Sequence, residues 1–102
     1  MRFLLVYHGG GARPGEPRRD IAPLWRWLDR LKSRGRRTTS FIAAGGSTVA
    51  SNSVDAYRGT VFGISIIEAQ SMDAALERSR DWPELRNGGR IEIFEELEQS
   101  RS

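Results

Sequence analysis

The segment VFGISIIEA, residues 61–69, is the strongest strand signal in the chain and the best starting point for deducing its fold. It is rich in the β-branched and aromatic residues that are typical of strands. Side chains alternate between the two faces of a strand, so Phe62, Ile64 and Ile66 are expected on one face, and Gly63, Ser65 and Ile67 with Val61 on the other. Apolar residues fall on both faces. Both sides of the sheet that contains this segment therefore need to be covered.

The remaining segments predict three more strands and two helices. Strands are expected over residues 2–7, 38–44 and 90–94, and helices over residues 20–35 and from residue 71 to residue 82. Asp20 and Ser71 are the expected N-caps, because their side-chain oxygens accept hydrogen bonds from free backbone amides. Residues 47–50 predict a short strand or ribbon arm, and residues 51–58 a turn. The resulting order, β-α-β-β-α-β, is the ferredoxin-like motif of the α+β class.

Spacings of three and four residues predict which helix faces enter the core. The stripe on the first helix places Trp25 in the core and leaves Trp27 outside it; its members are Ile21, Leu24, Trp25, Leu28 and Leu31. The inner face of the second helix comprises Met72, Ala75, Leu76 and Ser79. Two helices cover only one face of a four-stranded sheet. A large exposed apolar patch is rare on a soluble monomer, so the other face is expected to contact a ligand or a second copy, most simply in a homodimer.

Length and composition restrict the class of protein. The 102 residues make one domain, predicted over residues 1–95 with a charged tail over residues 96–102. There is no Cys and one His, which excludes disulfides, thiolate metal sites and any site with two imidazoles. No metal or other cofactor is expected. The short apolar run at the N-terminus is not typical of a secretory signal, and no run is long enough to span a membrane, so we expect a cytoplasmic protein.

The charge distribution raises the question of nucleic-acid binding. Residues 1–40 carry ten basic and three acidic side chains, whereas residues 41–102 carry six basic and ten acidic ones. Arg26, Arg30 and Arg34 recur along one face of the first helix, which is also typical of a solvated helix surface. An RNA-recognition domain has the same element order, but Thr60 and Ser65 stand where it needs base-stacking aromatic residues. Nucleic acid is therefore an unlikely partner.

Four segments in this order resemble the YCII-related family, in its DGPF-containing branch. They are FLLVYHG (residues 3–9), WRWLDRL (25–31), FGISIIEA (62–69) followed by Ser-Met-Asp-Ala-Ala, and WPELRNGGRIEI (82–93). The resemblance implies a dimeric α/β barrel in which two ferredoxin-like sheets face each other. It also implies a cleft beside the sheet, where enzyme-like relatives, including a dehydrochlorinase, carry a proposed His-Asp pair. Other relatives are encoded near extracytoplasmic-function sigma factors.

The chain departs from that family pattern at two places. The D-G-P-F stretch is expected between about residues 50 and 62, where this chain reads SNSVDAYRG (residues 51–59). Asp55 retains the aspartate there, but the Gly-Pro pair is absent. The first helix lacks the His that enzyme-like relatives keep, so the family's His-Asp pair does not carry over, and the assignment as an enzyme stays open.

Candidate functional residues centre on His8, the single imidazole. Histidine is the side chain that most readily exchanges a proton near neutral pH, and His8 stands between a strand and a glycine-rich loop. We predict His8 as a general base or ligand contact, with Asp55 or Tyr57 as its orienting partner; the alternative is a structural strand-end histidine.

Further ligand contacts are predicted at Tyr7, Ser65 and Arg13. Ser65 is a small residue in a bulky strand and leaves room for a ligand or for side chains of a second subunit, and the loop that ends at Arg13 is a candidate anion nest. Two functions remain open. One is binding of a small molecule in a cleft beside the sheet by an enzyme-like protein. The other is a non-catalytic interaction or regulatory module that acts through the dimer surface.

Overall fold

The computed structural model describes residues 1–10, 22–35 and 37–98 of the chain. Within these ranges it has six strands, two α-helices and one short 3₁₀ helix, which confirms the α+β class. The predicted strands and helices all occur, with ends shifted by a few residues, whereas the predicted cap Asp20 and the core residue Ile21 lie outside the described residues. The elements are β1 (Arg2–His8), α1 (Ala22–Arg34), β2 (Thr39–Ile42), β3 (Ser47–Val49), β4 (Val54–Ala56), β5 (Val61–Glu68), α2 (Met72–Ser79), the 3₁₀ helix (Pro83–Asn87) and β6 (Arg90–Glu95).

The main sheet has four strands in the order β2-β5-β1-β6, and each neighbouring pair is antiparallel. The two central strands, β5 and β1, both carry apolar residues on each of their faces. The outer strand β6 alternates apolar and charged residues in the sequence RIEIFE, residues 90–95. Charged side chains suit an edge, because they discourage unintended pairing with another strand.

A second, two-stranded sheet corrects the expectation of a simple turn over residues 51–58. Residues 54–56 form β4 and pair with β3, so that Thr48 lies opposite Asp55. The ribbon closes through a hydrogen bond from the Ala50 amide to the Ser53 carbonyl, at 2.8 Å. All six paired residues are exposed. Since the ribbon buries no apolar face, its sequence lacks the alternation from which a strand is predicted.

The core lies between the helices and one face of the main sheet. β1 buries Phe3, Leu5 and Tyr7 on this face, and β5 contributes Ile67. The side chains of α1 that meet them are Leu24, Trp27, Leu28 and Leu31.

The two tryptophans of α1 are buried and exposed in the reverse of the predicted way. Trp27 is 2% exposed, whereas Trp25 is 47% exposed. Trp27 lies between Leu24 and Leu31 on the buried face of the helix, and its indole Nε1 donates a 2.8 Å hydrogen bond to Oδ1 of Asp81. A tryptophan is buried readily when its N–H finds such a partner, and the partner is 54 residues away in the chain.

The second helix confirms its predicted cap and corrects part of its predicted inner face. Ser71 Oγ accepts a hydrogen bond from the Ala74 amide at 3.2 Å. Ala75 and Ser79 are buried as expected, but Met72 and Leu76 are exposed. The helix is eight residues long and presents its small residues to the core. Its larger apolar side chains therefore stay at the surface.

A β-bulge changes the face on which Phe62 lies. Tyr7 pairs with Gly63 but His8 pairs with Val61, so Phe62 is the extra residue in β5. Instead of sharing a face with Ile64 and Ile66, its ring packs on the core, with centroids 6.3 Å from Tyr7 and 5.9 Å from Trp82. Bulges re-aim side chains in this way.

The opposite face of the sheet, here called the open face, is apolar and has no helix over it among the described elements. Register places six apolar side chains there: Leu4, Val6, Phe41, Ile64, Ile66 and Phe94. Phe41 is 62% exposed and Phe94 is 51% exposed, and the other four are half-buried. None of the helices that the structure describes is long and apolar enough to cross a membrane.

Candidate functional site

His8 is held between two polar side chains at the end of β1. The residue is 6% exposed, and its Nδ1 lies 2.7 Å from Oγ1 of Thr60. Its Nε2 lies against Oε1 of Glu92, which is close enough for an ion pair but is not aligned as a hydrogen bond. Both ring nitrogens therefore face an oxygen, one from a hydroxyl and one from a carboxylate.

Strand pairing explains how three residues far apart in the chain meet. Glu92 lies opposite Val6 in the β1–β6 pair, so its side chain shares the open face with that of His8, two residues along β1. Thr60 directly precedes β5, and its carbonyl accepts a 2.9 Å hydrogen bond from the Gly9 amide. The loop after β1 is thereby tied to the residue that contacts the imidazole.

The contacts favour one arrangement of protons when the imidazole is neutral. A carboxylate only accepts hydrogen bonds, whereas a threonine hydroxyl both donates and accepts. With the ring proton on Nε2, facing Glu92, Nδ1 is left as an acceptor for the hydroxyl proton of Thr60. If Nδ1 gains a proton, the carboxylate stabilises the resulting positive charge on the ring. This arrangement suits a general base.

The partners of His8 differ from those that the sequence predicted. The side chains that contact the imidazole are Glu92 and Thr60, whereas Asp55 or Tyr57 was the expected partner. Asp55 is exposed in the β3–β4 ribbon. The Tyr57 hydroxyl accepts a 3.0 Å hydrogen bond from the Val61 amide, so it lies at the same end of the sheet. Glu92 was missed because only the β1–β6 register brings it to His8.

Tyr7 and Ser65, predicted as ligand contacts, form a buried hydrogen-bonded pair. The Tyr7 hydroxyl donates to Ser65 Oγ at 2.6 Å, and Ser65 Oγ lies 2.7 Å from Ser40 Oγ. Both residues are fully buried. Burial raises the pKa of Tyr7 to about 12, against a smaller lowering by the Ser65 hydrogen bond. The phenol is therefore neutral near pH 7, and Arg13, the third predicted contact, lies outside the described residues.

Glycines near His8 allow two backbone segments to approach closely. A Cβ on Gly10 would overlap the carbonyl carbon of Gly88, and a Cβ on Gly89 would lie 2.8 Å from the His8 carbonyl oxygen. Both contacts are too close for a side chain. Gly88 has a φ of +81°, a conformation that favours glycine. These glycines bring the turn before β6 against the end of β1.

The other end of the open face carries a shallow depression of about 290 Å³. Leu4, Ile66 and Phe94 form its apolar floor, and an exposed ion pair between Arg2 and Glu96 borders it. The open face thus has a polar end at His8 and an apolar end at this depression. Within the described part of the chain, no group of three or more histidine or acidic side chains could hold a metal ion.

Comparison with known proteins gives one match. The family model described as the YCII-related domain matches residues 1–97, which is nearly the whole chain. No curated protein matches this sequence, and no solved structure matches it.

Proposed function

The chain belongs to the YCII-related domain family, and on that premise we propose that it is an enzyme-like protein that binds a small organic molecule at the His8 end of the open face. In this proposal His8 is the general base and Glu92 is the positioning residue that stabilises its charged form. The observation that carries the proposal is the placement of both nitrogens of a nearly buried imidazole against side-chain oxygens.

The free energy of burying His8 beside Glu92 argues against a purely structural role for this pair. Burying an ionisable ring such as that of His8 away from water is unfavourable, and replacing buried ionisable groups with apolar residues is often neutral or stabilising. Val6 and Ile64 lie on the same face nearby, so an apolar side chain in place of His8 would extend an existing apolar surface. Glu92 remains 46% exposed, which leaves the carboxylate side of the site accessible from solvent.

The neighbouring residues indicate which molecule would fit. Arg90 lies directly opposite His8 in the β1–β6 pair, and it forms no ion pair with any residue that the structure describes. A guanidinium is suited to carboxylates and other planar oxygen groups. A ligand with an apolar body and a carbonyl or carboxylate group would place the body over Val6 and Ile64 and the oxygen near Arg90.

A second copy of the chain would complete the cleft. The open face is apolar over most of its area, and its most exposed side chains are Phe41 and Phe94 on the two outer strands. Pairing two open faces would remove these rings from water, at a gain of about 25 cal/mol for each Å² of apolar surface buried. We therefore include in the proposal a homodimer in which the two sheets face each other, as in a dimeric α/β barrel.

The proposal is tested with His8→Gln, Glu92→Gln and a matched control, Glu95→Gln. Glu95 is an exposed carboxylate on the same strand, but it pairs with Phe3 at the other end of β1. A panel of small carboxylic acids and esters is screened by thermal shift against the wild-type protein. We expect ligands that stabilise the wild type and Glu95→Gln but neither of the other variants. A screen in which every ligand also stabilises His8→Gln equally would contradict the proposal.

The single histidine provides an independent measurement. Diethyl pyrocarbonate modifies neutral imidazole, so the ultraviolet change of the modified ring reports on His8 alone. A ligand at the proposed site should slow this reaction in proportion to its occupancy. Binding without such protection would place the ligand elsewhere.

The alternative is a non-catalytic interaction module, which the exposed rings of Phe41 and Phe94 favour. In that case the open face itself is the functional surface. Phe94→Ser would then abolish the interaction, whereas His8→Gln would leave it unchanged. Under the enzyme-like proposal His8→Gln has the larger effect, so the two variants distinguish the candidates.

A further inference from the structure

We propose that Thr60 is a nucleophile activated by His8, so that Thr60, His8 and Glu92 form a hydroxyl–imidazole–carboxylate triad that cleaves small carboxylic esters. This inference rests on the proposed function, since it requires His8 to act as a base. It adds a second catalytic residue, a reaction and a substrate class.

The geometry is that of an activated hydroxyl. Thr60 Oγ1 lies 2.7 Å from His8 Nδ1, within the reach of a nucleophile–base pair, and the carboxylate occupies the opposite ring nitrogen. Such sets are recognised by geometry and roles rather than by sequence position. Here the hydroxyl uses Nδ1 and the carboxylate uses Nε2. Thr60 is exposed whereas His8 is buried, so the hydroxyl is the member that a substrate reaches.

Hydrogen bonds hold Thr60 in place from both sides. Its carbonyl accepts from the Gly9 amide at 2.9 Å, and the amide of the next residue, Val61, donates to the Tyr57 hydroxyl at 3.0 Å. A nucleophile fixed in this way loses little conformational freedom during the reaction, which is a large part of the advantage of an enzyme.

Tyr57 supplies a donor for the negative charge that develops on the substrate. Its hydroxyl accepts the Val61 amide proton, and its own proton has no acceptor among the residues that the structure describes. A substrate carbonyl attacked by Thr60 would place its oxygen in the same turn. A phenolic O–H directed at that oxygen stabilises the tetrahedral intermediate in the manner of an oxyanion hole.

The proposed hydrolysis requires neither a metal ion nor an oxidant. The bond from Thr60 Oγ1 to the carbonyl carbon forms while the hydroxyl proton passes to His8 Nδ1 and the carbonyl electron pair moves to oxygen. Collapse of the intermediate breaks the bond to the alcohol oxygen, which takes the proton from His8. Water then attacks the acyl carbon and passes a proton to His8, and collapse of this second intermediate breaks the bond to Thr60 Oγ1, which takes that proton back. The net reaction converts one ester and one water into an acid and an alcohol.

The probe for the test is p-nitrophenyl acetate, whose product is coloured and whose acetyl group remains on the nucleophile until water removes it. We compare the wild type with Thr60→Val, whose side chain has nearly the same shape but no hydroxyl. We also compare it with Thr60→Ser, whose side chain keeps a hydroxyl. Thr48→Val is the matched control, because Thr48 is also an exposed threonine but lies in the β3–β4 ribbon. Intact-mass and peptide mass spectrometry locate the acetyl group.

We expect acetylation at Thr60 in the wild type and release of p-nitrophenol that falls about 100-fold in Thr60→Val. Thr48→Val should match the wild type, Thr60→Ser should recover most of the rate, and Tyr57→Phe should be slower by about 100-fold. Glu92→Gln should lower the rate and change its pH profile while the thermal midpoint stays near that of Glu95→Gln. This separates a positioning role from a structural one.

Three results would overturn the inference. They are a Thr60→Val variant as reactive as the wild type, an acetyl group found only at other residues, or a wild type that neither releases p-nitrophenol nor becomes acetylated. If hydrolysis depends on His8 but not on Thr60, the nucleophile assignment fails and His8 remains the base of the proposed function. If His8→Gln also leaves the rate of hydrolysis unchanged, both the nucleophile assignment and the role of His8 as a base fail.

Discussion

The hydroxyl of Tyr7 donates a 2.6 Å hydrogen bond to Ser65 Oγ across the two central strands of the sheet. Neither residue is exposed to solvent. The contact joins β1 to β5 beneath the helices, and the Tyr7 ring stacks on Trp82 at a centroid distance of 5.3 Å. A polar pair thus lies at the centre of the aromatic cluster.

Tyr7→Phe should lower the free energy of unfolding by about 1 kcal/mol, the usual contribution of a net hydrogen bond. Ser65 keeps a partner in Ser40, so no buried hydroxyl is left unpaired. Urea denaturation measures the change. A matched control is Thr48→Val, which removes an exposed hydroxyl in the β3–β4 ribbon; a loss of several kcal/mol in Tyr7→Phe would show that the phenol does more than donate to Ser65.

The same phenol should make stability depend on alkaline pH. Its pKa is about 12 in the folded protein and about 10 in an unfolded chain. The unfolded state therefore loses this proton first, and stability falls as pH rises from the lower value to the higher one, by about 2 to 3 kcal/mol in total. Tyr7→Phe should lose this part of the pH dependence. Ultraviolet titration of Tyr57→Phe, in which Tyr7 is the remaining tyrosine, checks the pKa directly.

Asp81→Ala should destabilise the protein by about 1 to 3 kcal/mol, because it leaves the buried Trp27 indole N–H without its acceptor. Asp81→Asn keeps an acceptor oxygen and should cost less. Asp29→Ala, at an exposed carboxylate on α1, serves as the control in thermal or urea unfolding. Equal effects of Asp81→Ala and Asp29→Ala would contradict a specific role for the contact with Trp27.

Gly63→Ala should destabilise the central strand by about 1 to 3 kcal/mol through overpacking. The new Cβ would lie 2.7 Å from Ile42 Cδ1 and 2.8 Å from the Phe41 carbonyl oxygen. The latter contact is with backbone and cannot be relieved by a rotamer change. Gly45→Ala is the control, since no atom lies within 4 Å of its Cβ position; similar midpoints for the two variants would contradict the prediction.

The proposed pairing of open faces predicts a dimer in sedimentation experiments. Ile66→Asp places a charge in the middle of that face and should shift the population toward monomer or aggregate, because burying an unpaired charge is strongly unfavourable. Leu76→Asp, at an exposed leucine on α2, should leave the assembly unchanged. A wild-type protein that sediments as a monomer at micromolar concentration would overturn the pairing.

Much of the secondary structure could be predicted because the signals are local. The alternation in residues 61–69 and the cap at Ser71 depend on neighbouring residues alone, and the structure shows β5 and α2 there. The β3–β4 ribbon was missed because it buries nothing and so has no hydrophobic pattern. Trp25 and Trp27 flank the stripe of α1 leucines on opposite sides, so helical periodicity alone does not decide which of them is buried. The contact that decides it, between Trp27 and Asp81, is long-range.

The sequence by itself determined the α+β class, the family, the two-faced apolar sheet and the position of His8, the single imidazole, at the end of a strand. Only the tertiary structure decided what His8 touches. Glu92 reaches it through the antiparallel register of β1 and β6, and Thr60 through the bulge at the start of β5. Register and bulges depend on how strands pair across 50 or more residues of chain. The local sequence pattern does not indicate which residues of distant strands pair. The position of His8 could therefore be predicted from the sequence, whereas its contacts could not.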